Sequence, residues 1–175
     1  GESDGEPSED GLYLDGEATF QYLLGRTDID TSRIIIFGRS LGGGVAIDLA
    51  SKHLNEGISC VIVENTFSSI TDMVDVVFPA LAFAKKLILR MKFESSTKIR
   101  NITRPILFIS GEQDEIVPSS QMKALHTAAE LSADKELVLF PHGQHNDTWR
   151  TGGVEYLQRI RAFIQKYAQP GSAAT

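Results

Sequence analysis

A serine at the centre of residues 38–42 (Gly-Arg-Ser-Leu-Gly) is the first candidate for chemistry in this chain. A short apolar run at 33–37, typical of a strand buried on both faces, precedes it. A predicted helix over 41–53 follows it. A Gly-x-Ser-x-Gly pattern between a strand and a helix is typical of a nucleophile elbow, a sharp turn that exposes the serine hydroxyl. Ser40 is therefore the candidate nucleophile, and the alternative is an ordinary turn with a capping serine.

The glycines of this motif have a predicted steric role. Because the turn is sharp, Gly38 and Gly42 are expected to lack bulk where the helix crosses the strand. Residues 1–5 (Gly-Glu-Ser-Asp-Gly) match the same pattern around Ser3. No predicted strand precedes this second match and acidic residues surround it, so Ser3 is not favoured.

A serine hydroxyl needs a base to become a nucleophile, and the chain has four histidines. His142 and His145 lie in the loop after the last predicted strand, where proteins with such an elbow carry their base. Sequence position alone does not decide which of the two is the base, and His145 is preferred. His53 and His126 lie on predicted helices and are expected to be surface or packing residues.

The acid that orients the base is expected between the serine and the histidine in chain order. Asp114 lies in the loop after the third predicted strand and is the preferred candidate. Glu112 and Glu115 in the same loop are alternatives, whereas Asp147 is too close in sequence to His145 to reach around its ring.

Two backbone donors are needed to stabilise an oxyanion, and the N–H of Leu41 can be one of them. The second donor is expected from a loop after an earlier strand, which this sequence does not show. The single cysteine, Cys60, excludes an intrachain disulfide and a cysteine-rich metal site, and neither a metal nor a cofactor is expected.

Strands and helices alternate along most of the chain, which predicts a parallel sheet with helices on both faces. The predicted strands are 33–37, 60–64, 106–110 and 136–140, and the predicted helices are 41–53, 121–131 and 154–167, with helical spacing also at 9–24. Residues 66–104 interrupt this rhythm and are predicted to form a helical cap. The organisation is therefore an acidic loop at 1–10, an α/β domain at 11–168 and a flexible tail at 169–175.

The net charge of −6 comes mainly from the first ten residues, which hold five acids and no base. Without a basic stripe, nucleic acid is not an expected partner. No apolar run approaches the roughly 20 residues of a membrane span, and no signal peptide is recognised.

Several stretches of the chain together resemble the Bem46-like branch of the α/β-hydrolases. They are 11–15 (Gly-Leu-Tyr-Leu-Asp), 37–43 (Phe-Gly-Arg-Ser-Leu-Gly-Gly), 63–67 (Val-Glu-Asn-Thr-Phe), 109–111 (Ile-Ser-Gly) and 145–149 (His-Asn-Asp-Thr-Trp). The resemblance implies a triad of Ser40, Asp114 and His145, and it favours His145 over His142. One departure is Gly44, where relatives often have alanine, and this glycine is expected to loosen the start of the helix.

The resemblance also implies that this chain is the C-terminal part of an α/β-hydrolase fold. The early strands, the oxyanion loop and a membrane anchor of the family then belong to a longer, membrane-bound parent. Without an early partner strand, the strand at 33–37 is expected to be an exposed edge, and the isolated chain is expected to self-associate through it or to be inactive.

The expected function is cleavage of an ester or thioester through a Ser-His-Asp triad and an acyl-enzyme. A long-chain acyl group is one candidate for the acyl part of the substrate. The substrate would be a small molecule or an acylated protein. The alternative is a catalytically silent interaction module or an inactive truncated hydrolase, because a fold does not fix a function.

Overall fold

Four parallel strands form the centre of the computed structural model, which describes residues 4–54, 56–70 and 91–168. The strands are β1 (Ile34–Arg39), β2 (Ile58–Glu64), β3 (Ile106–Gly111) and β4 (Lys135–Phe140). They lie side by side in chain order, and each pair of neighbours is parallel. The predicted parallel sheet is confirmed, with each strand end within two residues of its predicted position.

Helices cover both faces of this sheet. They are α1 (Glu9–Leu24), α2 (Leu41–Lys52), α3 (Ser95–Lys98), α4 (Ser119–Ala128) and α5 (Thr148–Tyr167). On one face, Phe20 of α1, Ile47 of α2 and Leu125 of α4 share a core with β2 and β3. On the other face, Tyr156 and Phe163 of α5 pack against apolar residues of β2, β3 and β4.

The first helix begins inside the segment predicted to be an acidic loop. The Ser8 hydroxyl accepts a hydrogen bond from the Gly11 N–H at 3.0 Å and caps the helix. Glu9 and Asp10 lie in the first turn, where negative charge is favourable beside the unpaired N–H groups. The acidic residues at 9 and 10 therefore belong to α1, whose bounds agree with the predicted helical spacing at 9–24.

The last helix begins six residues earlier than predicted, at Thr148, and bends at Gly153 (φ 52°, ψ −128°). A Cβ at the neighbouring Gly152 would lie 2.7 Å from the Phe140 ring, so a glycine there leaves room for that ring. The two glycines interrupt the apolar periodicity, which explains why the sequence pattern alone identifies only the later part of the helix.

Only the two ends of the predicted cap fall within the described residues, because 71–90 lie outside them. The described ends contain α3 and a single 3-10 turn at Ile99–Asn101. Phe67, Ile70, Met91 and Phe93 pack together with Val117 into a buried apolar cluster. The predicted tail at 169–175 also lies outside the described residues.

β1 forms one edge of the sheet in the described part of the chain, where it pairs only with β2. Phe37 on this strand is 48% exposed. In the same described ranges, no helix is both long enough and apolar enough to cross a membrane.

Candidate active site

Ser40 occupies a strained turn between β1 and α2. Its φ of 52° and ψ of −123° lie outside the regions that non-glycine residues ordinarily adopt. The Ser40 N–H donates to the Glu64 carbonyl at 2.9 Å, and the Ser40 carbonyl accepts from the Gly43 N–H at 2.9 Å. The turn at Ser40 is therefore held by backbone bonds on both sides, as an elbow requires.

The structure shows a close backbone approach at Gly38 and open space among the described residues at Gly42. A Cβ at Gly38 would lie 2.3 Å from the Gly42 carbonyl oxygen, which α2 brings across the strand. Apart from its chain neighbours and the backbone of α2 itself, no described residue places an atom within 4 Å of a Cβ at Gly42. The close approaches are instead at Gly43, 2.5 Å from the Thr66 side chain, and at Gly44, 2.7 Å from the Phe93 ring. Gly44 thus makes room for Phe93, which the sequence alone does not reveal.

The structure brings Ser40, His145 and Asp114 into one hydrogen-bonded row. His145 Nδ1 lies 2.8 Å from Asp114 Oδ2, and His145 Nε2 lies 3.0 Å from Ser40 Oγ. The Asp114 side chain is fully buried and the His145 side chain is 7% exposed. A carboxylate can only accept, so Nδ1–H of His145 donates to Asp114 and Nε2 is free to accept from the Ser40 hydroxyl.

The backbone fixes the orientation of the Asp114 carboxylate. Its Oδ1 accepts from the N–H groups of Ile116 and Val117, at 2.8 and 2.7 Å. Oδ2 is therefore left for His145. This arrangement presents a single oriented acceptor to the imidazole and restricts rotation of the carboxylate.

The other acidic candidates lie elsewhere. Glu112 faces Lys123 at 3.9 Å, and Glu115 accepts from the backbone N–H of His145 at 3.2 Å, away from the ring. Asp147 accepts from the Gln144 N–H and pairs with Arg150.

The other histidines also lie away from Ser40. His142 is exposed and contacts Gln113 at 3.4 Å. His53 lies between Glu17 and Glu56, and His126 packs edge-on against Phe108.

Leu41 is the first residue of α2, so its N–H is one of the helix donors without a partner inside the helix. It remains available to an oxygen bound beside Ser40. Among the described residues, no group of three or more His, Cys, Asp or Glu side chains could hold a metal ion.

Glu64, the last residue of β2, pairs in register with Arg39, which directly precedes Ser40. Glu64 is 2% exposed, and its Oε2 accepts a hydrogen bond from the Tyr156 hydroxyl at 2.8 Å. Burial raises the pKa of this carboxyl above its ordinary value. Glu64 also supports the elbow through its backbone, because its carbonyl accepts the hydrogen bond from the Ser40 N–H.

Asn65 and Thr66 contribute to the site and are missed by reasoning from the catalytic motifs. The Asn65 side-chain amide donates to the His145 carbonyl at 3.1 Å, and the Thr66 hydroxyl donates to the Ser40 carbonyl at 2.7 Å. Both residues are 0% exposed. The signal in the sequence is the polar stretch 64–66, which begins at the last residue of a strand buried along most of its length.

Comparison with known proteins identifies the family. The model of the prolyl oligopeptidase family matches residues 10–171. The chain belongs to this family of α/β-hydrolases. The match includes the site residues described above and extends from α1 to beyond the end of α5.

Individual relatives confirm the resemblance to the Bem46-like proteins. Alpha/beta hydrolase domain-containing protein WAV2 of Arabidopsis thaliana is 43% identical, over 96% of this chain and 58% of that protein. Protein bem46 of Schizosaccharomyces pombe is 42% identical, over 94% of this chain and 54% of that protein. The chain thus spans between half and three-fifths of the length of these two relatives.

Solved structures confirm the α/β-hydrolase fold. An esterase of Pyrococcus furiosus aligns with a TM-score of 0.81 and 21% identity, over 97% of this chain and 67% of that chain. An acylaminoacyl peptidase of Pyrococcus horikoshii aligns with a TM-score of 0.73 and 20% identity, over 93% of this chain and 28% of that chain. At these identities the similarity concerns the fold.

Proposed function

We propose that this chain carries the catalytic centre of a serine hydrolase that cleaves an ester or thioester through an acyl-enzyme. The observation that carries the proposal is the row of hydrogen bonds from Ser40 through His145 to Asp114. The family membership of the chain agrees with it.

In the first half of the reaction, Ser40 Oγ attacks the carbonyl carbon of the substrate and its proton moves to His145 Nε2. Asp114 stays ionised and stabilises the imidazolium that forms. The negative oxygen of the tetrahedral intermediate accepts a hydrogen bond from the Leu41 N–H. The bond to the leaving group then breaks, and the alcohol or thiol departs with the proton from His145.

In the second half, water attacks the acyl group on Ser40 and His145 Nε2 takes a proton from the water. The bond between the acyl carbon and Ser40 Oγ breaks, Ser40 recovers its proton from His145, and the carboxylic acid leaves. The only reactants are the ester or thioester and water, and no cofactor takes part in these steps.

The acyl group is proposed to be long and apolar, on a small molecule or on a protein. The apolar cluster that contains Phe67 and Phe93 supports this, because Phe67 directly follows Thr66 in the chain and Val117 of the cluster belongs to the Asp114 loop. The longer parent is proposed to be anchored in a membrane. A Saccharomyces cerevisiae relative, 37% identical over 94% of this chain, is called an uncharacterized membrane protein.

The test is hydrolysis of p-nitrophenyl esters from acetate to palmitate by the wild-type chain, Ser40→Ala and Ser3→Ala. Ser3→Ala is the matched control, because Ser3 lies in the second Gly-x-Ser-x-Gly match. Ser40→Ala is expected to lower kcat by about 10⁴- to 10⁶-fold while Ser3→Ala leaves it unchanged. A folded wild-type chain without Ser40-dependent turnover would contradict the proposal and favour the interaction module or the inactive truncated hydrolase.

A further inference from the structure

Thr66 lies at the carboxyl end of β2, beside the elbow but outside the row that moves the proton. Its hydroxyl donates to the Ser40 carbonyl oxygen at 2.7 Å, across a separation of 26 residues. Thr66 itself is 0% exposed, so water does not compete for this bond.

The Ser40 carbonyl and the Leu41 N–H belong to the same peptide group. Because that group is planar and trans, its C=O and N–H point in opposite directions. A side chain that fixes the direction of the Ser40 carbonyl therefore also fixes the direction of the Leu41 N–H. The φ of 52° at Ser40 is unfavourable for serine, so this peptide group needs such external support.

The surroundings of Thr66 are arranged for this contact. A Cβ at Gly43 would lie 2.5 Å from Thr66 Oγ1, so only glycine allows the hydroxyl to reach the turn. The Thr66 N–H points to Met122 Sδ at 3.3 Å, which holds the residue from the opposite side. The Ser40 carbonyl has a second donor, the Gly43 N–H at 2.9 Å, and so is not left unpaired when the Thr66 hydroxyl is removed.

We infer that Thr66 is a positioning residue that aims the Leu41 N–H at the oxyanion through its hydrogen bond to the Ser40 carbonyl. This inference rests on the proposed function, since it assigns a role within the same site. It differs from a purely structural role because its effect falls on the transition state, in which the oxyanion carries its charge.

The experiment compares Thr66→Val, which removes the hydroxyl and keeps the shape, with Thr66→Ser, which keeps the hydroxyl. Thr127→Val is the matched control, because the Thr127 hydroxyl donates to the Lys123 carbonyl at 3.0 Å within α4, away from the site. Steady-state kinetics on p-nitrophenyl butyrate are measured below the melting temperature of every variant, with circular dichroism as the test of folding.

Thr66→Val is expected to lower kcat by roughly 10- to 100-fold with KM within about 2-fold, less than the loss of a whole oxyanion donor. Thr66→Ser is expected to keep kcat within about 3-fold of wild type, and Thr127→Val to leave it unchanged.

A thionoester substrate distinguishes a misdirected Leu41 N–H from a general loosening of the active site. Sulfur accepts hydrogen bonds weakly, so a thionoester gains little from an aimed N–H. The ratio of kcat for the oxygen ester to kcat for the thionoester is therefore expected to fall in Thr66→Val and to recover in Thr66→Ser.

An unchanged ratio in a folded Thr66→Val, or an unchanged kcat, would overturn the inference and leave the proposed function standing. The absence of Ser40-dependent turnover in the wild-type chain would overturn both the inference about Thr66 and the proposed function.

Discussion

Two regions of this molecule are held together in different ways. At the carboxyl end of the sheet, buried side chains bond segments that are distant in sequence, such as Ser40 with His145 and Asn65 with the loop before α5. At the edge formed by α1 and β1, most side-chain bonds are exposed and local, such as Arg26 with Asp28 and Gln21 with Glu17. Exposed pairs of this kind contribute little to stability, whereas buried polar groups are costly to leave unpaired.

The edge region also contains an apolar groove of about 420 Å³ between α1, β1 and α2. Residues such as Leu23, Ile36 and Leu49 line this groove. The geometry of the site therefore depends on the sheet and on side-chain contacts between segments that are distant in sequence. Substitutions at the site end should therefore be costly, and substitutions at the edge should be tolerated.

The largest effect is expected from Asp114→Asn. The amide can present its NH₂ group to His145 and favour the tautomer that cannot accept from Ser40, so kcat should fall about 10³- to 10⁴-fold. Glu112→Gln, in the same loop but facing Lys123, is the control and should retain activity. Equal activity of Asp114→Asn and wild type would remove Asp114 from the catalytic centre.

Two glycines of one motif should respond in opposite directions. Gly38→Ala places a Cβ 2.3 Å from a backbone oxygen and should cost about 3 kcal/mol of unfolding free energy. Gly42→Ala meets open space among the described residues, and the higher helix propensity of alanine should stabilise the chain by up to about 1 kcal/mol. Urea unfolding of the two variants measures this, and equal destabilisation would contradict the packing at the elbow.

Removing one side-chain amide from each region compares how much a buried and an exposed amide contribute to the free energy of unfolding. Asn65→Ala leaves the Gly111 N–H, bonded to Asn65 Oδ1 at 2.9 Å, without its buried acceptor and should cost about 2 kcal/mol. Gln21→Ala removes an exposed amide bonded to Glu17 and should change stability by less than about 0.5 kcal/mol. Thermal unfolding of both variants measures the two losses of stability. If Gln21→Ala destabilises the chain as much as Asn65→Ala, the expected difference between the two regions is contradicted.

Self-association of the isolated chain through β1 remains a prediction. A lysine at an exposed edge opposes strand pairing, so Phe37→Lys should weaken self-association by roughly tenfold in Kd. Sedimentation velocity over a range of concentrations measures this. A monodisperse wild-type monomer at all concentrations would show that the edge does not drive association.

The smallest effect concerns His53, which links α2 to Glu17 of α1. Burial alone lowers the pKa of His53, but its hydrogen bonds to Glu17 and Glu56 outweigh burial and raise the pKa above the ordinary value. A raised pKa in the folded state stabilises the chain at low pH, and this contribution is lost as pH rises from about 6.5 through the folded value.

His53→Gln removes this titration. Its deficit relative to wild type, expected to be below about 1 kcal/mol, should therefore shrink between pH 6 and pH 8.5 in urea unfolding. A deficit that stays constant over this interval would show that the charge of His53 does not contribute to stability.

Much of this architecture is predictable from the sequence because its signals are local. Apolar runs indicate the four strands, and the strand-turn-helix context identifies Ser40. What the sequence does not reveal depends on partners far along the chain. Thr66 matters because Ser40 lies beside it, 26 residues away, and Gly44 matters because of Phe93. The open space beside Gly42 is likewise not visible in the sequence, since the space around a residue follows from the tertiary fold.

The most direct test of the central claim is to label the wild-type chain and His145→Ala with a fluorophosphonate and map the modified peptide by mass spectrometry. Activation of Ser40 by His145 predicts one adduct, on Ser40, formed at least about 10³-fold faster in wild type than in His145→Ala. An adduct on another serine such as Ser3, or equal labelling of Ser40 in both proteins, would contradict it.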